Sequence, residues 1–202
     1  MLQHDFEIRL RNACDSVAAA EETLTEVDAR FGDGDHGLTM AKIAGAIRDV
    51  LPEKHDTIQA LLDDAATAVM MLNGGSAVSL WNAWLDGMQE GAPAGGEMDI
   101  PQIKGMFAHA LEALSDISGA HVGDKTMMDA LIPATEAITA YTGQSEDGLF
   151  AAAAEAAAKG AEASKQFVSK FGRAKSYGAK TIGTPDAGAL SMACFFKGLA
   201  RS

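Results

Sequence analysis

Alanine occupies 39 of the 202 positions and leucine 16, whereas valine and isoleucine together supply only 17. That balance favours side chains that lose little rotamer freedom in a helix over the branched ones that fill strands. The remaining apolar residues keep helical spacing. Phe6, Leu10, Cys14, Val17, Leu24 and Val27 recur at threes and fours, with Arg11, Asp15, Glu21 and Glu22 left for the other face. This reads as one amphipathic helix of about 20 residues. Seven more are expected over 38–50, 57–72, 77–88, 103–117, 125–140, 146–171 and 187–200, which makes an all-α chain of eight helices. Ile103, Phe107, Ala110, Leu114 and Ile117 form the cleanest stripe, and the alanine runs 151–154 and 156–158 are punctuated by Glu155, Lys159, Glu162 and Lys165. Small side chains at that spacing point to close helix packing and need no ligand.

The Pro/Gly stretch 91–96 is the sole candidate linker, but the helical texture is the same on both sides, so it reads as a loop within a single domain spanning 1–202. The formal net charge of −12 disfavours a nucleic-acid partner, because a phosphate-facing surface needs an excess of Lys and Arg. Cys14 and Cys194 are far apart and form no metal-binding pair, which suits thiols in a reducing compartment. No basic start followed by an apolar run and no stretch of about 18 apolar residues is present. A cytoplasmic protein with no membrane segment is the expectation.

The chemistry should lie in the glycine-flanked polar clusters between helices, of which there are four. In the first, Asp28, Asp33 and Asp35 surround glycines that permit a tight bend, so three carboxylates can converge. Such a donor set suits a hard cation, Mg²⁺ with phosphate oxygens and water; Ca²⁺ is the rival, although the twelve-residue calcium loop and its terminal Glu are lacking. His36 can donate to phosphate, move a proton, or simply cap a helix, and the N–H groups of Gly37, Leu38 and Thr39 would face an anion. The second cluster, Asn73-Gly74-Gly75-Ser76, offers a helix start with Ser76 as N-cap, though Gly-Gly-Ser is also ordinary turn chemistry. In the third, from Ser118 to Met127, Asp124 reads as an N-cap and Lys125 as a reach toward an anion. Met127 and Met128 there either line a planar base or fill the core. The fourth runs from Phe171 to Gly188 through a loop without apolar periodicity, and Arg173 is its best charge for a polyphosphate. With no GxSxG, GxxxxGK[ST] or GxGxxG element, a Mg-polyphosphate or Mg-nucleotide is the simplest ligand for this inventory.

In family order from residue 28 to 189, the chain carries Asp28-Ala-Arg30-Phe-Gly32-Asp33-Gly-Asp35-His36-Gly37, Gly74-Gly75, and Gly123-Asp124-Lys125-Thr126-Met127-Met128-Asp129. Gly172-Arg173-Ala174 and Asp186-Ala187-Gly188-Ala189 follow. With these it resembles the nucleotide-binding DhaL-type subunit of dihydroxyacetone kinases. The resemblance implies an antiparallel eight-helix barrel with ADP or ATP held at one end. Asp28, Asp33 and Asp35 would hold two Mg²⁺ ions; His36, Gly37, Leu38, Thr39, Ser76 and Ala77 would contact phosphate; Gly119 and Met127 would border the adenine. Arg173 with Asp186, Ala187 and Gly188 would close the phosphate and ribose side, and Arg173 and His36 are the catalytic candidates. It further implies a partner, a DhaK-like subunit that holds the sugar. A DhaM-like phosphohistidine donor that rephosphorylates bound ADP, or exchange of ATP, would complete the cycle, and a homodimer is left open. Two differences from the family pattern stand out: Gly74-Gly75-Ser76-Ala77-Val78 replaces Gly-Gly-Ala-Ser-Gly, and Asp186-Ala187-Gly188 replaces Asp-Pro-Gly. Val78 puts a branched side chain where glycine would admit close backbone approach, which suggests a related acceptor such as a four-carbon ketose. The competing readings are a nucleotide-binding regulator without phosphoryl transfer, a stand-alone Mg-dependent phosphohydrolase, and a ligand-free helical scaffold.

Overall fold

The computed structural model describes residues 1–202. Nine α-helices follow in chain order: α1 (Gln3–Ala18), α2 (Glu21–Asp28), α3 (His36–Val50), α4 (Ile58–Met70), α5 (Ser76–Gly91), α6 (Ile100–Ser118), α7 (Met128–Ala140), α8 (Glu146–Ala163) and α9 (Ala187–Leu199). Two 3₁₀ segments, Ser164–Gln166 and Arg173–Thr181, lie between α8 and α9, and the extended backbone is confined to one isolated bridge between Leu2 and Glu97. No helix is long and apolar enough to cross a membrane.

From α3 onward each helix packs on its sequence neighbour, and α9 returns against α1, so the ring closes. Short connections between neighbours force the helices to alternate in direction. The α3–α4, α5–α6 and α7–α8 connections therefore share one end with the N-terminus. Met1 donates there to Met98 O at 2.8 Å and to Glu146 Oε1 at 3.0 Å, and Gln3 Nε2 donates to His55 O at 3.2 Å. The α2–α3, α4–α5, α6–α7 and α8–α9 connections gather at the opposite end, which holds all four glycine-flanked clusters.

The ring is filled by aromatic side chains. Trp84, fully buried on α5, meets Trp81 and Phe195 edge to face with centroids 5.4 and 5.3 Å apart, and Phe107 and Phe196 complete the shell at 6.2 and 6.3 Å. Edge-to-face pairs add to the large area such rings remove from water. Around them the helices approach closely through small residues. A Cβ added at Gly198 would stand 2.3 Å from Ala13 Cα on α1, and one at Gly160 only 1.9 Å from Asp129 O on α7. The alanine abundance thus serves packing, as the spacing predicts.

Helix starts follow local chemistry. Thr57 caps α4 by accepting from Ala60 N at 3.0 Å, and Asp99 with Gln102 forms a reciprocal box ahead of α6. Other boundaries differ from the sequence expectation. The first of the eight expected helices is broken at Ala19–Ala20 into α1 and α2. Alanine does not disfavour helix there; the bend lets α2 turn onto the start of α3, where a Cβ on Gly37 would lie 2.1 Å from Glu21 O. Tertiary packing has overridden propensity. The helix expected from 125 begins at Met128, because Gly123 and Lys125 take positive φ (+96° and +59°) and hold a turn. The helix expected to reach 171 ends at Ala163, where Ser164 is fully buried and bonded to the α9 approach.

Candidate functional site

Asp28 ends α2, Asp33 and Asp35 follow in the turn, and the three carboxylates offer ligand atoms all within 4.8 Å of one another. The turn is built around Asp28. Its Oδ2 accepts from Gly34 N at 2.9 Å and His36 N at 3.4 Å. A Cβ on Gly32 would collide with Asp28 Oδ1 at 2.1 Å, while Gly34 has φ of +74°. Both glycines are therefore required for the acidic side chains to converge. Burial, then the neighbouring Asp33 and Asp28 carboxylates, push the Asp35 carboxyl above its ordinary value. Three carboxylates without sulfur or imidazole at this spacing fit a hard divalent cation, which would relieve that repulsion.

The surrounding residues come from every connection at this end. Arg173, on the α8–α9 connection, places Nη2 2.7 Å from Asp33 Oδ2 while keeping 72% of its side chain exposed, so it can swing toward an anion. His36 is the first residue of α3, and its Nε2 lies 3.3 Å from Ser191 Oγ on α9. Ser191 Oγ donates in turn to Gly188 O at 2.8 Å, which ties the imidazole to the start of α9. Burial holds the His36 pKa below its ordinary value against the pull of Asp28, favouring a neutral ring. Ser191 was not legible as a site residue, since it sits on the inner face of an ordinary apolar helix.

The N-termini of α3, α5 and α9 open at the same end. Gly37, Leu38 and Thr39 occupy the first turn of α3, as the motif predicts. At α5 the N-cap is Gly75, and Ser76 is the first helical residue, with no side-chain capping bond. Val78 is buried, and a Cβ on Gly74 would meet its Cγ2 at 2.3 Å, so the branched side chain fills space beneath the turn. No atom lies within 4 Å of a Cβ position on Gly75, and the backbone of Ser76 and Ala77 follows directly. At α9, Asp186 is the N-cap and accepts from Ala189 N at 2.8 Å; Ala187 occupies the first position, where proline's lack of an N–H costs nothing, so either residue fits. Burial of the Asp186 carboxyl raises its pKa to about 7. Gly119 ends α6 in the left-handed region at φ +61°, and Met127 is buried, 3.3 Å from a Cβ position on Gly188.

Two residues in the third cluster serve the fold instead of a ligand. Lys125 is only 4% exposed and its ammonium donates to Ser164 O and Thr184 O, so it does not reach toward an anion. Asp124 is no N-cap: it accepts from His121 N at 2.8 Å and from Lys170 Nζ at 2.5 Å. Asp129, the last residue of the Gly123–Asp129 motif, organises the turn by accepting from Gly123 N at 2.6 Å and Thr126 N at 2.7 Å.

Against known proteins, the DAK2 domain matches residues 30–201. The chain is 35% identical over 184 residues to the D-erythrulose kinase of Mycolicibacterium smegmatis, covering 89% of this chain and 32% of that one. It is 28% identical over 180 residues to the ADP-binding subunit DhaL of PEP-dependent dihydroxyacetone kinase 2 from Listeria innocua, covering 87% and 83%. Among solved structures, the dihydroxyacetone kinase of C. freundii in complex with AMP-PNP and Mg²⁺ superposes with a TM-score of 0.71 at 26% identity, over 96% of this chain and 33% of that one. The chain thus spans about a third of the fused kinases and most of the free-standing subunit. It belongs to the DAK2 domain family.

Proposed function

We propose that residues 1–202 form one Mg-nucleotide-binding domain, the phosphoryl-donating part of a kinase for dihydroxyacetone or a related short-chain ketose. The observation that carries this reading is the convergence of Asp28, Asp33 and Asp35 beside the starts of α3 and α5, with Arg173 on the facing connection. Asp28, Asp33 and Asp35 would hold magnesium, which would neutralise phosphate charge there. Two such ions suit a cluster in which each Asp keeps a free oxygen. The N–H groups of Gly37 and Leu38 and of Ser76 and Ala77 would hold phosphate oxygens at helix N-termini, with the side chains of His36 and Thr39 beside them, while the His36 and Thr39 N–H groups stay on Asp28 and Asp35. Arg173 leaves Asp33 to stabilise charge on the group in transfer, and neutral His36 orients the start of α3 and donates no competing positive charge. Gly119 and Met127 border the base, and Asp186 to Gly188 fix the α9 start against the ribose side.

The acceptor sits on a partner. Leu38, Met71, Val122, Phe171, Tyr177 and Ile182 are exposed apolar residues at or beside the connections of this end, a rim suited to a DhaK-like sugar-binding unit. The erythrulose kinase relative supports a four-carbon ketose, and the Listeria relative supports ADP rephosphorylated in place by a DhaM-like phosphohistidine donor. Such a relay works in the cytoplasm, consistent with two unpaired cysteines.

The test is reconstitution. The chain is mixed with a sugar-binding kinase subunit and erythrulose or dihydroxyacetone, with either MgATP or a phosphohistidine donor. Ketose phosphate should form only when both proteins are present. Retained Mg-ADP with no transfer to any partner would convert the reading to a regulator, and steady phosphate release by the chain alone would make it a phosphohydrolase.

A further inference from the structure

The opposite end of the barrel carries a second cluster of ligand-type side chains, Glu53, His55 and Asp64, whose donor atoms also lie within 4.8 Å of one another. Glu53 and His55 belong to the α3–α4 connection and Asp64 to the second turn of α4. The backbone that presents them is pinned on several sides. Glu53 N donates to Val50 O at 3.1 Å, His55 O accepts from Gln3 Nε2 at 3.2 Å, and Ile58 N donates to Gly95 O at 3.0 Å.

His55 is the informative member. Its side chain is 2% exposed, yet neither ring nitrogen has a hydrogen-bond partner. Nε2 lies 3.1 Å from Asp64 Oδ2, close enough for an ion pair, but not in the geometry of an N–H···O bond. An imidazole buried with both nitrogens unsatisfied leaves its desolvation cost uncompensated. Nearby positive charge does not answer for the carboxylates: Lys54 points to solvent, 92% exposed, and its only ion pair is with Asp56 at 4.0 Å. Two carboxylates converging on an unpartnered buried imidazole need a cation that accepts a nitrogen lone pair.

We propose that Glu53, His55 and Asp64 bind a first-row divalent transition ion of the Zn²⁺ class, with one position left to water. The imidazole separates this site from the all-carboxylate cluster at the other end, because Mg²⁺ takes oxygen ligands and is reluctant to shed water for nitrogen. The ion would staple the α3–α4 connection to α4, far from any phosphate, and so act on stability. This inference does not depend on the kinase reading.

The experiment uses the full chain carrying Asp33→Asn and Asp35→Asn, which removes the competing cluster, titrated with ZnCl₂ in a non-chelating buffer by calorimetry and by thermal unfolding. One Zn²⁺ per chain should bind, raise the melting temperature, and persist in 5 mM MgCl₂. His55→Gln should abolish it. Because a buried substitution can weaken the fold, Glu53→Gln and Asp64→Asn, both at exposed positions, provide the independent check: each should lower Zn²⁺ affinity at least tenfold without changing the metal-free melting temperature. Absence of Zn²⁺ binding, displacement by Mg²⁺, or unchanged affinity in the Glu53→Gln, Asp64→Asn double variant would overturn the site.

Discussion

Along the barrel axis, the middle and the Asp28 end are built on opposite principles. Around Trp84, side chains are fully buried, aromatic and in mutual contact, so each depends on the others for its place. At the Asp28 end, glycines set the backbone, carboxylates crowd together, and Arg173 keeps most of its surface in water. Crowded like charges are a cost in the folded state, and such a cost persists where a ligand repays it. The contrast predicts where substitutions act: in the middle on stability, and at the end on the binding proposed above. Lys125 and Asp129 are the exceptions, end residues whose hydrogen bonds belong to the scaffold.

The sharpest way to break the contrast is Trp84→Ala. It should cost about 3–5 kcal/mol in urea unfolding, as expected for deleting a buried aromatic ring. A loss below about 1 kcal/mol would mean the middle is not the stabilising region. Next, Asp33→Asn should lower Mg-nucleotide affinity by about 100-fold, while unfolding stability moves by less than about 0.5 kcal/mol, since an exposed ion pair with Arg173 adds little. Both quantities come from one preparation, by calorimetry and by thermal melting.

Lys125→Met tests the exception. Losing a buried ammonium that serves two carbonyls should cost about 2 kcal/mol and leave the acidic cluster intact. A variant of normal stability with impaired nucleotide binding would return Lys125 to the ligand. The last comparison is Asp186→Asn, whose effect is expected to vanish at low pH. With its folded pKa raised to about 7 from an ordinary 3.8, Asp186 contributes stability that is complete below about pH 4 and is lost as pH rises through 7. Asparagine still accepts from Ala189 N but carries no charge. The variant should therefore match the parent at pH 4 and be more stable than it at pH 8, the gain appearing between those values. A gain that is equal at both pH values would remove the buried charge as its cause.

Much of this was readable without coordinates, for reasons that differ by region. The stripe from Ile103 to Ile117 and the α9 segment after Asp186 have clear periodicity and clear caps, and they form helices within a few residues of the expected limits. Convergence of Asp28, Asp33 and Asp35 follows from glycine spacing alone, because the bend is local. What escaped was set by distant partners. The break at Ala19–Ala20 answers to Gly37, which lies across the α2–α3 contact. Lys125 looks like a loop cation until the carbonyls of Ser164 and Thr184, 39 and 59 residues away, enclose it. His36 acquires its partner Ser191 only when α9 closes the ring, and His55 gathers Glu53 and Asp64 only once α4 has folded back beneath its own connection.

The most direct test of the central claim is a calorimetric titration of ADP into the chain, first stripped of metal and nucleotide, with and without Mg²⁺. The account predicts one ADP per chain with Mg²⁺ present, affinity falling at least 100-fold without it, and the same loss in Asp33→Asn. Binding of equal strength without Mg²⁺, or none under either condition, would contradict a Mg-nucleotide site built on Asp28, Asp33 and Asp35.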